Sequence, residues 1–488
     1  MTLQSALFEC PLDHVVIELY DDKKIFAGSL ISRIVHDIDL LNAQPNIEIG
    51  SEANFENLYR CILAIFSGAK AIILKQDSFK TSKDLNTKKI VDESISYLNS
   101  YQEFNLDELQ EAHKDFKNKI FNDINSFEIT LTTSGSSGLP KSVVLDDKSL
   151  DYQSSEVSKL LNFDINTRQL LYMPINYIYG LSIITTWLKS GSCIILPKNN
   201  IQNPNMFFNE LILRQITVFS GVPYTFNMMC KWELQKLNDS SITAITQAGG
   251  RLRLENKRKI VNNLRNIDFW VMYGQTEFGG RISQYKLSTK EIDIDELCVG
   301  YPLNGIKVFI EKDKECDGLG EIFIQSPSMA KNINSLDEIR NIKGNNFYST
   351  GDIGRYENDL LYVSDRNKNF IKIGGSRVST AAVSKSLTKL PGIQECFLCL
   401  GNKKNEKILI GLHTELFKDI NSQWEVSEKI DEVLGKDILS TILDCKPYEI
   451  FLLHGELPLL ENSKLWVWKI HEKIKGASIE KKSVHIWL

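Results

Sequence analysis

The sequence lacks the features of a secreted or membrane protein. The segment from Met1 to Leu12 contains neither a positively charged stretch nor a continuous apolar one, so no secretory signal is indicated. No apolar run reaches the length that a membrane span requires. The nine cysteines are scattered and odd in number, which is typical of a reducing compartment rather than of a disulfide framework. We therefore expect a cytoplasmic protein without a membrane span.

Features of nucleic-acid binding, metal binding and redox chemistry are also scarce. The formal net charge is −5, so no basic field would attract nucleic acid. The seven histidines have no metal-like spacing, and we expect no histidine-based triad. Cys396 and Cys399 form a C-x-x-C pair, but they lie in an apolar, strand-like run. This setting predicts buried thiols rather than a redox or zinc site.

What the sequence contains is typical of an α/β protein with more than one domain. Its 488 residues exceed a single typical core, and 42% hydrophobic with 24% charged residues indicates a folded globular chain. An apolar helical pattern from Phe55 leads into a buried strand near Leu74, and this alternation continues along the chain. Helices are predicted from Asp147 and over 180–189. Further strands are predicted at 128–132, 143–145, 170–175, 192–197, 216–220, 242–246 and 269–272.

One loop has a composition suited to a polyphosphate, Thr133-Ser134-Gly135-Ser136-Ser137-Gly138-Leu139-Pro140-Lys141. Glycines let backbone N–H groups approach phosphate oxygens, hydroxyls add donors, and the ammonium offsets negative charge. The segment nearly matches a Walker motif, but Pro140 stands at the second glycine and lacks the N–H, and Val143-Val144-Leu145 predicts a strand where a Walker loop opens a helix. An ordinary Ser/Gly hairpin turn is the alternative.

A second loop, Tyr273-Gly274-Gln275-Thr276-Glu277, follows the apolar run 269–272. The end of a strand in an open α/β sheet is a frequent place for a ligand site. Glu277 offers a hard oxygen ligand for Mg²⁺, Thr276 a hydroxyl for phosphate and Tyr273 a flat face for a base. A simple turn is again the alternative interpretation.

Charged residues suited to a nucleotide recur later in the chain. Asp352, in Tyr348-Ser349-Thr350-Gly351-Asp352, can accept hydrogen bonds from both ribose hydroxyls, as acidic residues do in dinucleotide folds. Arg366 can hold a phosphate or a ribose. Taken singly, such charges are more often surface residues, and the same is true of Lys464 after the turn at 458–463.

Together and in this order, these segments resemble the adenylate-forming superfamily of acyl-CoA synthetases, nonribosomal peptide adenylation domains and beetle luciferases. The resemblance spans residues 133 to 464. It rests on the Ser/Thr-Gly-rich loop ending in Pro140-Lys141, the Tyr-Gly-x-Thr-Glu loop, the Thr-Gly-Asp at 350–352, Arg366 before the 370–378 hairpin, and the late Lys464.

The resemblance implies an α/β fold with two domains. Residues 1–366 would form a large N-terminal domain of mixed and parallel sheets flanked by helices, which binds ATP and the acyl group. Residues 367–488 would form a small, mobile α+β C-terminal domain that carries the adenylation lysine and rotates about a hinge at Lys368.

It also implies an activity, an acid–thiol ligase that uses ATP and Mg²⁺. Relatives convert a small-molecule carboxylate into acyl-AMP with release of pyrophosphate. They usually pass the acyl group to CoA or to the phosphopantetheine of an acyl carrier protein. Because the carboxylate and the α-phosphate are both anions and must meet, catalysis consists mainly of neutralising their charges and aligning them. The alternatives are transfer of the acyl group to an amine or a protein without CoA, and a catalytically weak nucleotide-binding regulatory module.

Residue roles follow by the same resemblance. The catalytic set is Lys464, Glu277, Thr276 and Lys141, with Glu277 holding the metal. The residues expected to contact ATP are Thr133, Ser134, Gly135, Ser136, Ser137, Gly138, Lys141, Gly249, Gly250, Tyr273, Gly274, Gln275, Thr276, Asp352, Arg366 and Lys372. The acyl pocket is expected at Tyr177, Gly249 and Phe278, and the thiol channel at Gly374 and Gly375.

The chain departs from the family pattern at Ser142, Asp365, Ala382 and Ser463, where relatives usually have glycine, glycine, glutamate and glycine. The departures around Asp365 and Ala382 motivate the regulatory-module alternative. None of the departures removes a charge assigned to ATP, and the retained residues Lys141, Glu277, Asp352 and Lys464 favour the enzyme.

Overall fold

The structure is a computed structural model, and the part of the chain that it describes has several gaps. The described residues are 3, 6–19, 21–41, 46–73, 85–100, 126–134, 140–197, 204–231, 234–288, 295–312, 319–333, 339–366, 370–373, 376–388, 392–401, 407–414, 422, 425, 426, 428, 432, 448–455, 457, 467–480 and 485–487.

The chain forms two compact units. The first comprises Met1–Ile310, Phe323–Thr350 and Arg355–Tyr362, and the second comprises Glu311–Ile322, Gly351–Gly354 and Val363–Leu488. The predicted α/β class is confirmed, since sheets and helices alternate along the larger unit. The predicted domain boundary after residue 366 stays a prediction.

Eight helices of the first unit are described, and the second unit adds two. In chain order they are α1 Ala27–Leu41, α2 Phe55–Ser67, α3 Leu85–Ser100, α4 Asp147–Leu160, α5 Ile178–Ser190, α6 Pro204–Leu213, α7 Pro223–Met229, α8 Leu254–Asn263, α9 Thr380–Leu387 and α10 Val467–Glu480. Short 3₁₀ helices span Ala6–Glu9, Leu234–Asp239 and Thr276–Phe278. None of the described helices is long and apolar enough to cross a membrane.

Eighteen strands are described up to residue 366. They are β1 Val15–Glu18, β2 Lys24–Phe26, β3 Asn46–Ile49, β4 Lys70–Ile73, β5 Glu128–Ser134, β6 Pro140–Asp146, β7 Arg168–Leu170, β8 Cys193–Ile195, β9 Val218–Gly221, β10 Ala244–Gln247, β11 Asp268–Tyr273, β12 Ser283–Leu287, β13 Cys298–Pro302, β14 Lys307–Lys312, β15 Gly320–Gln325, β16 Ile339–Ile342, β17 Asn345–Glu357 and β18 Leu360–Arg366. Four of them, β14, β15, β17 and β18, contain residues of both units.

The main sheet of the first unit includes the strands β18-β13-β12-β11-β10-β9-β7-β8-β1-β2, in this order. Strands β9, β10 and β11 are parallel, with Thr246 of β10 opposite Ser220 of β9 and Trp270 of β11. All four residues of β10 are buried, as expected for parallel strands covered on both faces. The carboxyl ends of these three strands therefore meet at one edge of the sheet, where the loops after residues 247 and 273 begin.

A second sheet of the first unit has the order β3-β4-β5-β6. Strands β5 and β6 are antiparallel, with Thr133 opposite Lys141 and Ser134 opposite Pro140. Helix α4 follows β6 directly, and the Asp146 carboxylate caps it by accepting a hydrogen bond of 2.9 Å from the Ser149 backbone N–H. The predicted helix start at Asp147 is confirmed.

One predicted strand is wrong over most of its length. The apolar run 170–175 indicated a single strand, but β7 ends at Leu170. Proline at position 174 has no backbone N–H for a ladder, and the Ile175 N–H instead donates to the Ser51 carbonyl at 2.7 Å. The run therefore leaves the sheet as a buried connection that leads into α5.

The second unit contains a sheet of its own. Its strands are β19 Phe370–Ile373, β20 Ser376–Ser379, β21 Ile393–Leu400, β22 Ile408–Thr414, β23 Tyr448–His454 and β24 His485–Trp487. Strands β21 to β24 form a four-stranded sheet in sequence order, and β19 pairs with β20 as a hairpin. Cys396 and Cys399 lie on β21 as buried free thiols, and burial raises the pKa of Cys399 to about 12. The expectation that these two thiols are buried is confirmed.

Candidate functional site at the ends of parallel strands

The loop from Tyr273 to Glu277 is compact because its backbone closes on the chain that returns from it. The Ile282 N–H donates to the Tyr273 carbonyl at 2.8 Å, and the Gly280 N–H donates to the Gln275 carbonyl at 2.9 Å. Gly274 is required here, since a Cβ at that position would lie 1.9 Å from the Gly280 carbonyl oxygen. The loop thus presents its side chains from a rigid frame.

Two side chains of this loop are positioned in different ways. The Gln275 side-chain amide donates to the Thr350 carbonyl at 2.9 Å, which anchors the loop to β17 within the first unit. Glu277 lies in the 3₁₀ helix Thr276–Phe278, where its carbonyl accepts from the Ala330 N–H at 2.9 Å. The residue as a whole is only half-buried. The backbone of Glu277 is therefore fixed while its carboxylate stays accessible.

The Glu277 carboxylate fits the magnesium ion that the family resemblance implies. Among the described residues no group of three or more His, Cys, Asp or Glu could hold a metal. Mg²⁺ that serves nucleotide chemistry is usually bound by one or two carboxylates, with substrate phosphates and water completing its shell. A single accessible carboxylate matches the protein part of that donor set.

The loop after β10 carries two predicted glycines on the surface. Gln247 is buried to 1% exposure, and its side-chain amide donates to the Gly250 carbonyl at 2.8 Å. Gly249 has a φ of +84°, a left-handed conformation that L side chains rarely adopt. Both glycines are exposed. They leave exposed backbone just after β10, the strand next to β11.

The two predicted aromatic residues of the acyl pocket differ in their setting. Tyr177 is the residue before α5 and is half-buried. Phe278 is fully buried, and its carbonyl accepts from the hydroxyl of Ser328 at 2.9 Å. Phe278 therefore packs inside the unit rather than at its surface, and its contact with a substrate stays a prediction.

The phosphate loop is described only at its two ends. The strand, loop, strand arrangement is present as β5 and β6, and Lys141 on β6 is exposed. The backbone of Thr133 and Ser134 is described without their side chains. The residues between, Gly135, Ser136, Ser137 and Gly138, lie outside the described residues. A strand rather than a helix after the loop agrees with the rejection of the Walker interpretation.

The remaining predicted residues belong to the second unit or lie at its border. Asp352 lies on β17 and is buried to 4% exposure. Arg366 ends β18 and Lys372 lies on β19, but their side chains lie outside the described part. Lys368, Gly374, Gly375 and Lys464 also lie outside the described residues. Their assigned roles therefore stay predictions.

A buried polar cluster next to these loops was missed by sequence reasoning. The Arg281 guanidinium carbon lies 4.0 Å from the centroid of the Tyr179 ring, and the Tyr179 hydroxyl lies 2.7 Å from the Thr246 hydroxyl. Ser220 lies 2.9 Å from Thr246 through their hydroxyl oxygens. The residues are far apart in sequence, and only the parallel register of β9 and β10 brings Ser220 and Thr246 side by side.

The fold and the strand-end loops are those of the adenylate-forming superfamily. A model of the family described as AMP-binding enzyme matches residues 62–333, more than half of the chain. The chain belongs to the AMP-binding enzyme family.

Individual relatives are similar at modest identity. Malonate–CoA ligase of Arabidopsis thaliana is 26% identical over 288 residues, 54% of this chain and 46% of the relative, so this chain spans about half the length of that curated protein. D-alanine–D-alanyl carrier protein ligase of Staphylococcus aureus is 25% identical over 71% of each chain. The structure of o-succinylbenzoate CoA synthetase from Bacillus subtilis with ATP and magnesium has a TM-score of 0.71 at 19% identity, covering 96% of this chain and 99% of that one.

Proposed function

We propose that the protein activates a carboxylic acid with ATP and Mg²⁺, forming acyl-AMP and pyrophosphate, and then transfers the acyl group to a thiol. The observation that carries this proposal is the loop 273–277. Its frame is rigid, its carboxylate is accessible, and it lies at the ends of parallel strands inside the matched family region. The adjoining exposed glycines at 249 and 250 suit the close approach of a nucleotide.

In the first half-reaction a carboxylate oxygen of the acid attacks the α-phosphorus of ATP, and pyrophosphate leaves. Both reactants are anions, so positive charge must offset their repulsion. We assign Lys141 and the 133–138 loop to the departing pyrophosphate, Thr276 to the α-phosphate and Lys464 to the approaching carboxylate. Mg²⁺, when bound, would supply further positive charge, and Glu277 would hold the ion in place.

In the second half-reaction a thiol attacks the acyl carbonyl, and AMP leaves. The acceptor is CoA or the phosphopantetheine of an acyl carrier protein, which share the pantetheine thiol. The names of two relatives, one a CoA ligase and one a carrier protein ligase, support these two acceptors. We assign Gly374 and Gly375 to the channel that admits this arm, and Lys368 to the hinge.

The division into domains is part of the proposal. We place residues 1–366 in the ATP- and acyl-binding domain and residues 367–488 in a mobile domain, and the separate core of the 393–454 sheet supports this division. We place the enzyme in the cytoplasm, which suits its buried free thiols. Transfer to an amine or a protein is the competing second step, and a regulatory module is the competing function.

The proposal is tested by incubating the protein with ATP, Mg²⁺ and a panel of carboxylic acids, and by measuring acid-dependent pyrophosphate release. CoA or a loaded carrier protein is then added, and the thioester is sought by mass spectrometry. Pyrophosphate release that depends on one class of acid supports the proposal. If no acid leads to pyrophosphate release, the proposed enzyme activity is wrong. If AMP forms without a thioester, an amine or protein acceptor is favoured.

A matched pair of variants connects this assay with the candidate site. Glu277→Gln removes the assigned metal ligand, and Glu255→Gln changes an exposed glutamate on α8. We expect the first variant to lose pyrophosphate release while folding normally, and the second to behave as wild type.

A further inference from the structure

A short segment after β15 contacts both the 273–277 loop and the strand that follows the phosphate loop. It runs from Ser328 to Asn332 and contains no helix or strand. The Ala330 N–H donates to the Glu277 carbonyl at 2.9 Å, and the Lys331 N–H donates to the Val144 carbonyl of β6 at 2.9 Å. We call this segment the 328–332 connector, because it joins two parts of the candidate site that are far apart in sequence.

The Asn332 side chain pairs with the backbone of β6 in the way that a neighbouring strand would. Its amide oxygen accepts from the Val144 N–H at 2.9 Å, and its amide nitrogen donates to the Ser142 carbonyl at 2.8 Å. A carboxamide can replace a strand here because, like a peptide unit, it offers both a donor and an acceptor. In the described order β3-β4-β5-β6, β6 is the last strand, so Asn332 covers an edge of the sheet. Asn332 thus holds the backbone directly beside Lys141.

The other end of the connector is anchored in the interior of the first unit. Ser328 is fully buried, and its hydroxyl donates to the Phe278 carbonyl at 2.9 Å. The same hydroxyl accepts from the Gln153 side-chain amide at 2.8 Å, and that amide also donates to the Arg281 carbonyl at 2.7 Å. A buried network whose members are paired with one another favours a single arrangement. The connector therefore begins at a rigid point next to Glu277.

The connector is short enough to fix a spacing within the candidate site. Ala330 and Asn332 are two residues apart, which is about 7 Å of chain at most. The backbone that Ala330 holds belongs to Glu277, the assigned metal ligand, and the backbone that Asn332 holds adjoins Lys141, the assigned pyrophosphate contact. Mg²⁺ in nucleotide chemistry binds substrate phosphates as well as carboxylates, so these two side chains must keep a defined separation.

We infer that Asn332 is a positioning residue for the adenylation step, which holds β6 on the connector and thereby fixes Lys141 relative to Glu277. This inference rests on the proposed function. Asn332 acts through the β6 backbone, so its loss leaves every residue assigned to ATP in place but loosens the strand that carries Lys141. A misplacement of about 1 Å in a catalytic constellation can cost about 10²-fold in rate. The chemical step should therefore suffer more than the binding of ATP.

The test compares Asn332→Ala with a variant that loses the same pair of contacts elsewhere, Asn238→Ala. The Asn238 amide donates to the Asn263 carbonyl at 2.8 Å and accepts from the Arg265 N–H at 2.6 Å. These contacts precede β11, at the opposite end of that strand from the 273–277 loop. Both variants should fold with a similar, small decrease in Tm, because each loses two hydrogen bonds near the surface.

Two half-reactions are measured for each variant, acid-dependent pyrophosphate release and thioester formation from synthetic acyl-AMP. We expect Asn332→Ala to lose at least about tenfold in kcat for pyrophosphate release, with a smaller change in KM for ATP. It should keep the wild-type rate from acyl-AMP, because that step involves no pyrophosphate. Asn238→Ala should match wild type in both steps. A role in folding alone would change both half-reactions equally or change neither, and either result overturns the inference.

Amide hydrogen exchange separates failure of this inference from failure of the proposed function, because it requires no reaction. We expect residues 140–146 to exchange faster in Asn332→Ala than in wild type, and to be unchanged in Asn238→Ala. Faster exchange without pyrophosphate release from any acid supports the hold on β6 and contradicts the proposed function. Wild-type exchange in Asn332→Ala contradicts the inference, whatever activity the enzyme has.

Discussion

Replacing Gly274 by alanine tests whether the compact 273–277 loop carries the activity. The added methyl group would lie 1.9 Å from the Gly280 carbonyl oxygen and 2.5 Å from the Gly280 carbonyl carbon. Both atoms belong to backbone, so no flexible side chain can move aside. An ordinary contact requires a shift of more than about 1 Å, and that shift would strain the hydrogen bond between the Ile282 N–H and the Tyr273 carbonyl.

Two magnitudes follow from this geometry. Overpacking of a dense interior typically costs about 1 to 3 kcal/mol in the free energy of unfolding. A displacement of about 1 Å at a catalytic constellation can lower the rate by about 10²-fold. We therefore expect Gly274→Ala to fold with reduced stability and to lose most acid-dependent pyrophosphate release.

The assay combines urea unfolding with the initial rate of pyrophosphate release. Gly476→Ala on α10 is the control, because a methyl group there meets nothing within 4 Å and alanine in a helix interior adds about 0.5 to 1 kcal/mol of stability. Wild-type activity in a stably folded Gly274→Ala protein would refute the assignment of this loop.

Three further outcomes are expected. Lys464→Ala should abolish pyrophosphate release but leave thioester formation from synthetic acyl-AMP largely intact, and equal loss of both half-reactions would argue against domain rotation. Asp146→Ala removes the cap of α4 and should cost about 1 kcal/mol in urea unfolding, whereas an unchanged midpoint would contradict the capping role. Burial lowers the pKa of His471 from 6.5 to about 4. The unfolded chain then binds more protons, so stability should fall as the pH drops from 6.5 to 4, and His471→Gln should flatten this dependence in urea titrations.

Strong local signals explain why much of the fold was predictable. The strand β11 contains an apolar run that ends at a conspicuous loop, and Asp146-Asp147 marks the start of α4. The run 170–175 gave a wrong prediction because most of its apolar residues lie in a buried connection and not in a sheet. Hydrophobicity indicates that a residue is buried, but it does not indicate how its backbone is hydrogen-bonded. Pro174 was the available signal against a strand.

The candidate site could be proposed from the sequence where its residues are contiguous. The loops at 133–141 and 273–277 are each read within nine residues or fewer. The setting of Arg281 depends on Tyr179, Ser220 and Thr246, which three separate elements supply. Only the parallel register and the packing of α5 bring these groups together, so no local pattern could identify the buried cluster.

The proposed function depends on attack of a carboxylate oxygen on the α-phosphorus of ATP. It is tested most directly with an acid labelled with ¹⁸O in its carboxyl group. Attack on the α-phosphorus makes a C–O–P bridge, and cleavage of the C–O bond by the acceptor then leaves the bridging oxygen in AMP. We predict that each AMP formed contains one ¹⁸O atom by mass spectrometry. AMP without the label, or label found in inorganic phosphate that is released together with ADP, would contradict attack on the α-phosphorus.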